Sequence, residues 1–296
     1  MDSKIELAKP RDFGEIISDT FAFVRLNFKP LLKYFFIFCG FFLIATGATE
    51  ILTQIQALNR INNFNPNSFD NPTSPFAVFT AAYFLNMFFL MLEYLSITLM
   101  TLSFMALYKQ KGNEVPDVEE MWGYFKFYFL RVLGSAFVVA IVFILGCLLC
   151  LIPGIYLYPI MSLVFPIIII ENASFGYAFN QSFKLIKDNW WPTFGVLVVI
   201  GIILGVASMI LVLPSAIFTA GSIFLHMTRG TSTSVTGVVV TTILKQFAHV
   251  FQILSVVATC LIYFNLHETK EGTGLMERIN RFGAGPSHTD TTQEEY

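Results

Sequence analysis

FGEIISDTFAFVRLNFKP at residues 13–30 and FGYAFNQSFKLIKDNWWP at residues 175–192 align without a gap, and each runs into a long apolar segment. Phe13/Phe175, Gly14/Gly176, Phe21/Phe183, Asn27/Asn189 and Pro30/Pro192 are identical, while Thr20/Ser182, Val24/Ile186, Arg25/Lys187 and Phe28/Trp190 keep their chemical type. Phe13, Ile16, Ile17, Phe21, Val24 and Phe28 recur at helical spacing, as do Phe175, Ala178, Phe179, Phe183, Ile186 and Trp190, with polar residues opposite. An aromatic, base-flanked helix of this kind fits one lying in the membrane interface, anchored by Phe13, Phe21, Phe28, Phe175, Phe183, Trp190 and Trp191. The chain would then turn into the bilayer at Pro30 and Pro192.

Six apolar runs are long enough to cross about 30 Å of hydrocarbon as helix: 31–52, 76–107, 129–151, 155–170, 193–213 and 235–266. Pro153-Gly154 reads as the turn between the third and fourth, and Pro159 and Pro166 predict a kinked fourth. A weaker version of the repeated phrase, VEEMWGYFKF at 118–127, precedes the third run. The fold expected is therefore all-α and polytopic. Three units of interfacial helix (12–29, 116–127, 173–190) plus transmembrane hairpin make one membrane domain over 1–267, with a polar tail at 268–296.

Composition agrees. Mean hydropathy is +0.66, and the charged share is 13% of 296 residues, about half that of a soluble domain. Net charge is −2 with basic residues scattered along the chain, which excludes a nucleic-acid footprint. Lys4, Lys9, Arg11, Arg25, Lys29, Lys33, Lys109, Lys111, Lys126, Arg131, Lys184, Lys187, Lys270, Arg278 and Arg281 fall on one side of the spans, Arg60 and Arg229 on the other. The positive-inside bias places both termini in the cytoplasm and residues 59–75 outside. No short apolar core with a cleavage site follows the first basic residues, so no removable leader is expected. Cys147-x-x-Cys150 has redox spacing but lacks the charges that activate a thiol.

Ile152-Pro-Gly-Ile-Tyr156, the apolar run ending at Glu171, and Ala178-x-x-x-Ser182-x-x-Leu185-x-x-x-x-Trp190 together carry a family signature. The segment Ile262-Tyr-Phe-Asn-Leu266 with Glu271-Gly272 extends it. The chain thereby resembles the bacterial membrane domain attached to some glycerophosphoryl diester phosphodiesterases, and small inner-membrane proteins of the same type. The resemblance implies a helical inner-membrane protein. The catalytic barrel of the fused enzymes is absent, so no phosphodiesterase activity is carried over, and Pro30, Pro153, Gly154 and Pro192 take the roles of turn residues.

Ionisable groups inside spans are costly and point to function. Glu50, Glu93, Lys245 and His249 all fall in the outer half of the predicted spans, with Glu93 about 15 residues, or roughly 22 Å, from the basic side. Lys245 and His249 are one turn apart on one face. These four form a candidate intramembrane polar site, with Glu93 its strongest member. The bland reading has Glu50 and Lys245 snorkelling outward and Glu93 bonding a neighbouring helix. Gly201-x-x-x-Gly205 permits close helix approach. No nucleophile–base set, metal-ligand spacing or phosphate loop occurs, so neither enzyme activity, metal nor cofactor is expected. The reading is a non-enzymatic inner-membrane protein that interacts with lipids, or scaffolds other envelope membrane proteins, in membrane upkeep. The alternative is a small transporter or lipid translocator built around Glu93.

Overall fold

The computed structural model describes residues 5–62, 79–149, 151–229 and 235–271. These form helices α1 (Phe13–Leu26), α2 (Phe28–Asn62), α3 (Ala81–Gln110), α4 (Val118–Leu149) and α5 (Leu151–Ile170), then α6 (Phe175–Ile186), α7 (Trp190–Arg229), α8 (Val235–Ala248) and α9 (Gln252–Glu271). The described residues contain no strand. Six helical segments are long and apolar enough to span a membrane, the last made of α8 and α9 together. The protein is an all-α polytopic membrane protein.

The two copies of the repeated phrase fold alike, for reasons written in their shared residues. Asp12 and Ser174 cap α1 and α6, and their carbonyls accept from the amides of Ile16 and Ala178, each at 3.0 Å. Thr20 donates its hydroxyl to the Ile16 carbonyl (2.7 Å) and Ser182 to that of Ala178 (2.8 Å), so both sit fully buried with their polar group satisfied. Asn27 caps the end of α1 and Asn189 directly precedes α7, and their carbonyls take the amides of Leu31 and Thr193 to start the next helix. Pro30 and Pro192 lie inside the first turn of α2 and α7, where a missing amide hydrogen costs nothing. The break therefore falls at the asparagines, ahead of the prolines.

The middle unit differs. Residues 116–127 do not form a separate helix; α4 runs unbroken from Val118. Between Val118 and Leu149 there is neither Asn nor Pro to stop the ladder, whereas both other units carry the Asn-x-x-Pro break. Pro153-Gly154 is likewise not the turn expected: both residues belong to the first turn of α5. The glycine serves packing instead, since a Cβ at Gly154 would stand 2.5 Å from the Cys147 sulfur of α4. Ahead of α4, the α3–α4 turn uses Gly112 (φ +67) and Asn113 (φ +70), with the Asn113 amide bonding the Tyr108 carbonyl at 2.9 Å.

Burial sorts the spans into two layers. The most apolar windows of α3, α5 and α8–α9 are 61, 56 and 56% buried, against 28, 17 and 17% for α2, α4 and α7. The inner helices α3, α5 and α9 touch one another, and each pairs with an outer partner: α2 with α3, α4 with α5, α7 with α8 and α9. Each unit's leading segment packs on the inner helix of the unit before it. The start of α4 lies on α3, α6 on α5, and α1 closes the circle on α9. Arg11 fastens that closure: its amide donates to Asn265 (2.7 Å), and its buried guanidinium bonds Asp19 (2.8 Å), the Leu7 carbonyl (2.7 Å) and the Glu6 carbonyl.

This arrangement revises the face assigned to the short helices. Ile16, Thr20, Phe23 and Asn27 form the stripe turned into the protein, matched by Ala178, Ser182, Leu185 and Ile186. Phe13, Phe21, Phe28 and Trp191 remain exposed beside it, while Phe175, Phe183 and Trp190 are half-buried against the core. Glu268, placed in the loose tail by composition, is buried in α9. The remainder of that tail, from 272, lies outside the described residues, as do Cys150 and most of the 59–75 loop.

Candidate functional site

The sixth span is not one helix. α8 ends at Ala248, His249–Phe251 form a single 3-10 turn, and α9 begins at Gln252, whose amide reaches back to the His249 and Val250 carbonyls. No proline or glycine marks the break. It carries the chain from α8, which packs on the outer helices α2 and α7, to α9 at the centre. Mid-span 3-10 turns of this kind are frequent at hinges and binding sites.

The break is lined by the four polar residues singled out above, and the structure brings them together as two pairs. Lys245 Nζ lies 2.7 Å from Glu50 Oε1, which also accepts from the Gln54 amide at 2.8 Å. His249 Nδ1 bonds Glu93 Oε1 from α3, and the His249 ring leans on that of Tyr94 with centroids 5.5 Å apart. The pairs differ in access. Lys245 is 43% exposed and Glu50 17%, whereas the Glu93 side chain is 1% exposed and its second oxygen has no hydrogen-bond partner. Glu50 therefore does not snorkel away from Lys245; each neutralises the other.

Glu50, Lys245 and His249 face a cavity of about 570 Å³ between α2, α3, α7 and the broken span. Its polar rim adds Thr46, Asn86, Tyr94, Ser208 and Gln252, and its apolar wall is Leu90, Leu204, Met209, Val212 and Phe251. Asn86 is held in place by donating to Thr49 Oγ1 (3.1 Å) and the Thr46 carbonyl (3.3 Å). Gly205 also lines the space, and a Cβ at Gly201 or Gly205 would meet nothing within 4 Å. The Gly201-x-x-x-Gly205 pair is thus not a close helix contact; Gly205 widens the cavity. Its size falls in the range of small-molecule sites, and its wall is more polar than is usual for them.

Thr46, Gln54, Asn86, Tyr94 and Ser208 were not legible as site residues. Single hydroxyl or amide side chains in an apolar run satisfy the local backbone as readily as they bind a ligand. Only the ionisable residues carried a sequence signal.

Across the α2–α8 contact, where Gln246 packs on Gly47, a second groove of about 430 Å³ is lined almost wholly by apolar groups, among them Phe36, Ile44, Ile243 and Phe247. Cys39 and Cys260 are free and buried, and Cys147 is free and packed on Gly154. No protein-family model matches this chain, and neither does a curated protein or a solved structure.

Proposed function

We propose that the protein is a non-enzymatic binding protein of the bacterial cytoplasmic membrane, with both termini in the cytoplasm, that takes a small zwitterionic or amphipathic molecule into its intramembrane cavity and acts as a small transporter or lipid translocator. The observation that carries this reading is the Glu50–Lys245 pair on the wall of a cavity large enough for a ligand. A zwitterion can exchange with such a pair group for group, its cation on Glu50 and its anion on Lys245, without leaving a charge unpaired in an apolar medium. The broken span beside it supports the same reading, because discontinuous helices bearing polar groups recur at transporter sites. Repeats that share one orientation, as the distribution of basic residues implies, differ from the inverted repeats of many transporters and weigh against this reading, and the site lies between the first and third units. The resemblance carried by Ile152–Tyr156, Ala178–Trp190 and Ile262–Leu266 supports grouping the chain with the membrane-domain family and the envelope role expected of it.

A lipid-interacting scaffold is the second reading, favoured by the apolar groove between α2 and α8. The two separate in a thermal-shift screen of the purified protein against phosphatidylethanolamine, amino acids and uncharged lipids. Stabilisation by a zwitterion, lost in Lys245→Met and in Glu50→Gln, is the expected result. Stabilisation by uncharged lipid alone, unaffected by either substitution, would discard the cavity reading for the scaffold.

A further inference from the structure

A second, smaller cavity of about 170 Å³ lies between α3, α5, α7 and α9, and its wall carries Thr98, Tyr158, Ser162, Ser255 and Thr259. It shares Gln252 with the larger cavity. On every element it lies closer than the larger cavity to the basic face of the protein. On α9 the larger cavity uses Gln252 while the smaller extends to Thr259; on α3 they use residues 86–94 and 98–102; α7 contributes residues 204–212 to one and Leu197 to the other. One helical turn beyond Thr259, about 6 Å on, Tyr263 donates its hydroxyl to Glu171 at 2.8 Å. Gln252, Ser255 and Thr259 thus follow one another along α9 from the broken span, with Tyr263 one turn further toward the basic end. The rest of its wall is apolar, with Leu102, Phe165, Leu197 and Val256, and a cavity of this size with five hydroxyls and an amide has room for several waters.

We propose that this smaller cavity is a water-filled proton route that connects the His249–Glu93 pair to the basic face. It goes beyond the solute site and needs no solute to operate. A proton delivered through the cavity binds His249 Nε2; the Nδ1 proton passes to Glu93, leaving a neutral imidazole and a neutral carboxylic acid, and the pair has gained one proton. Reversal of the same steps releases it. Glu93 suits the task because its second oxygen has no hydrogen-bond partner and its side chain is buried, with His249 its one bonded contact toward the broken span. The other ionisable groups facing the pair and the route are Cys39 and Glu50 from α2, Tyr94 from α3, Lys245 from α8 and Tyr158 from α5. Of these Glu50 and Lys245 are already matched to one another. Because His249 sits in the turn joining α8 to α9, neutralising Glu93 weakens the hold of α3 on the hinge and couples proton uptake to the shape of the larger cavity.

The test uses the full chain in lipid and no ligand. Infrared spectra in nanodiscs should show a carboxylic-acid carbonyl band that grows on acidification and is missing from Glu93→Gln. In oriented membrane vesicles, with the native cysteines replaced, Ser255→Cys should react with a small impermeant thiol reagent from the basic face; Thr98→Cys, across the same cavity, is the second position should the first fail to fold. Reaction from neither face, or from the opposite face only, overturns the route. A titrating band that persists in Glu93→Gln, or none in the unaltered protein, overturns Glu93 as the proton site. Loss of zwitterion binding with these results intact would sink the solute reading alone.

Discussion

Replacing Lys245 by Met removes one arm of a pair whose members are unequally placed, and that inequality sets the expected cost. Glu50 is the more buried partner, 17% exposed against 43% for Lys245, and it keeps the Gln54 amide at 2.8 Å when Lys245 is gone. Exposed ion pairs contribute about 0.2–1 kcal/mol, and stranding a fully buried charge costs about 3–5 kcal/mol. With one residual hydrogen bond and partial access, Lys245→Met should cost about 1–2 kcal/mol. Glu50→Gln should cost less, under about 1 kcal/mol, because Lys245 can turn toward water and Gln still accepts from it. The double variant completes a cycle with a coupling of about 1 kcal/mol. SDS-driven unfolding in mixed micelles, followed by tryptophan fluorescence, measures all four proteins. A coupling of zero, or a larger loss for Glu50→Gln than for Lys245→Met, would refute the pairing as described.

Three further outcomes are expected. Gly154→Ala drives a methyl group into the Cys147 sulfur and should destabilise by about 1–2 kcal/mol, with much of the loss recovered in Gly154→Ala/Cys147→Ala; Gly201→Ala meets no neighbour and should be neutral or stabilising in the same unfolding assay. Burial pushes the Asp19 carboxyl up, but hydrogen bonds and charge from Arg11 and Lys9 outweigh it and hold the group below its usual value, so its contribution is present above the ordinary carboxylate value and lost as pH falls through the lowered one; thermal melts across that acid range should be flatter for Asp19→Asn. Phe21→Asp puts a charge on the exposed aromatic flank of α1 and should reduce the amount of protein in the membrane, whereas Ser18→Asp, also exposed but polar, should leave it unchanged on a quantitative immunoblot.

The spans and the repeat were readable because both rest on long, redundant patterns. Twenty apolar residues in a row, or eighteen aligned positions, survive local exceptions. Boundaries rested on single residues and fared worse. Pro30, Pro153 and Pro192 were read as turns, but the first turn of a helix accommodates proline, so each lies inside the element it was expected to precede. The fusion of residues 118–127 with α4 followed from the absence of a breaker, which is harder to weigh than its presence. At the site, Lys245 and His249 shared a face by spacing alone. Their partners lie 195 and 156 residues away, and nothing local could assign Glu50 to one and Glu93 to the other. The turn at His249 follows from the path of the chain between outer and inner helices, a tertiary cause without a residue signature.

The circular packing orders events during biosynthesis. α1 emerges from the ribosome ahead of every span, yet its seat is α9, and the Arg11–Asn265 bond joins residues 254 positions apart. Until that span is inserted, the stripe of Ile16, Thr20, Phe23 and Asn27 is covered in part only, by Phe104 and Tyr108 of α3 beside Phe23. α1 must wait for the larger part of its seat while the helices between are made. α4 and α6, by contrast, dock on neighbours already made. Docking of α1 is therefore completed only once α9 is in place, and a chain truncated before α9 should be recognisable to proteases by a loosely held α1.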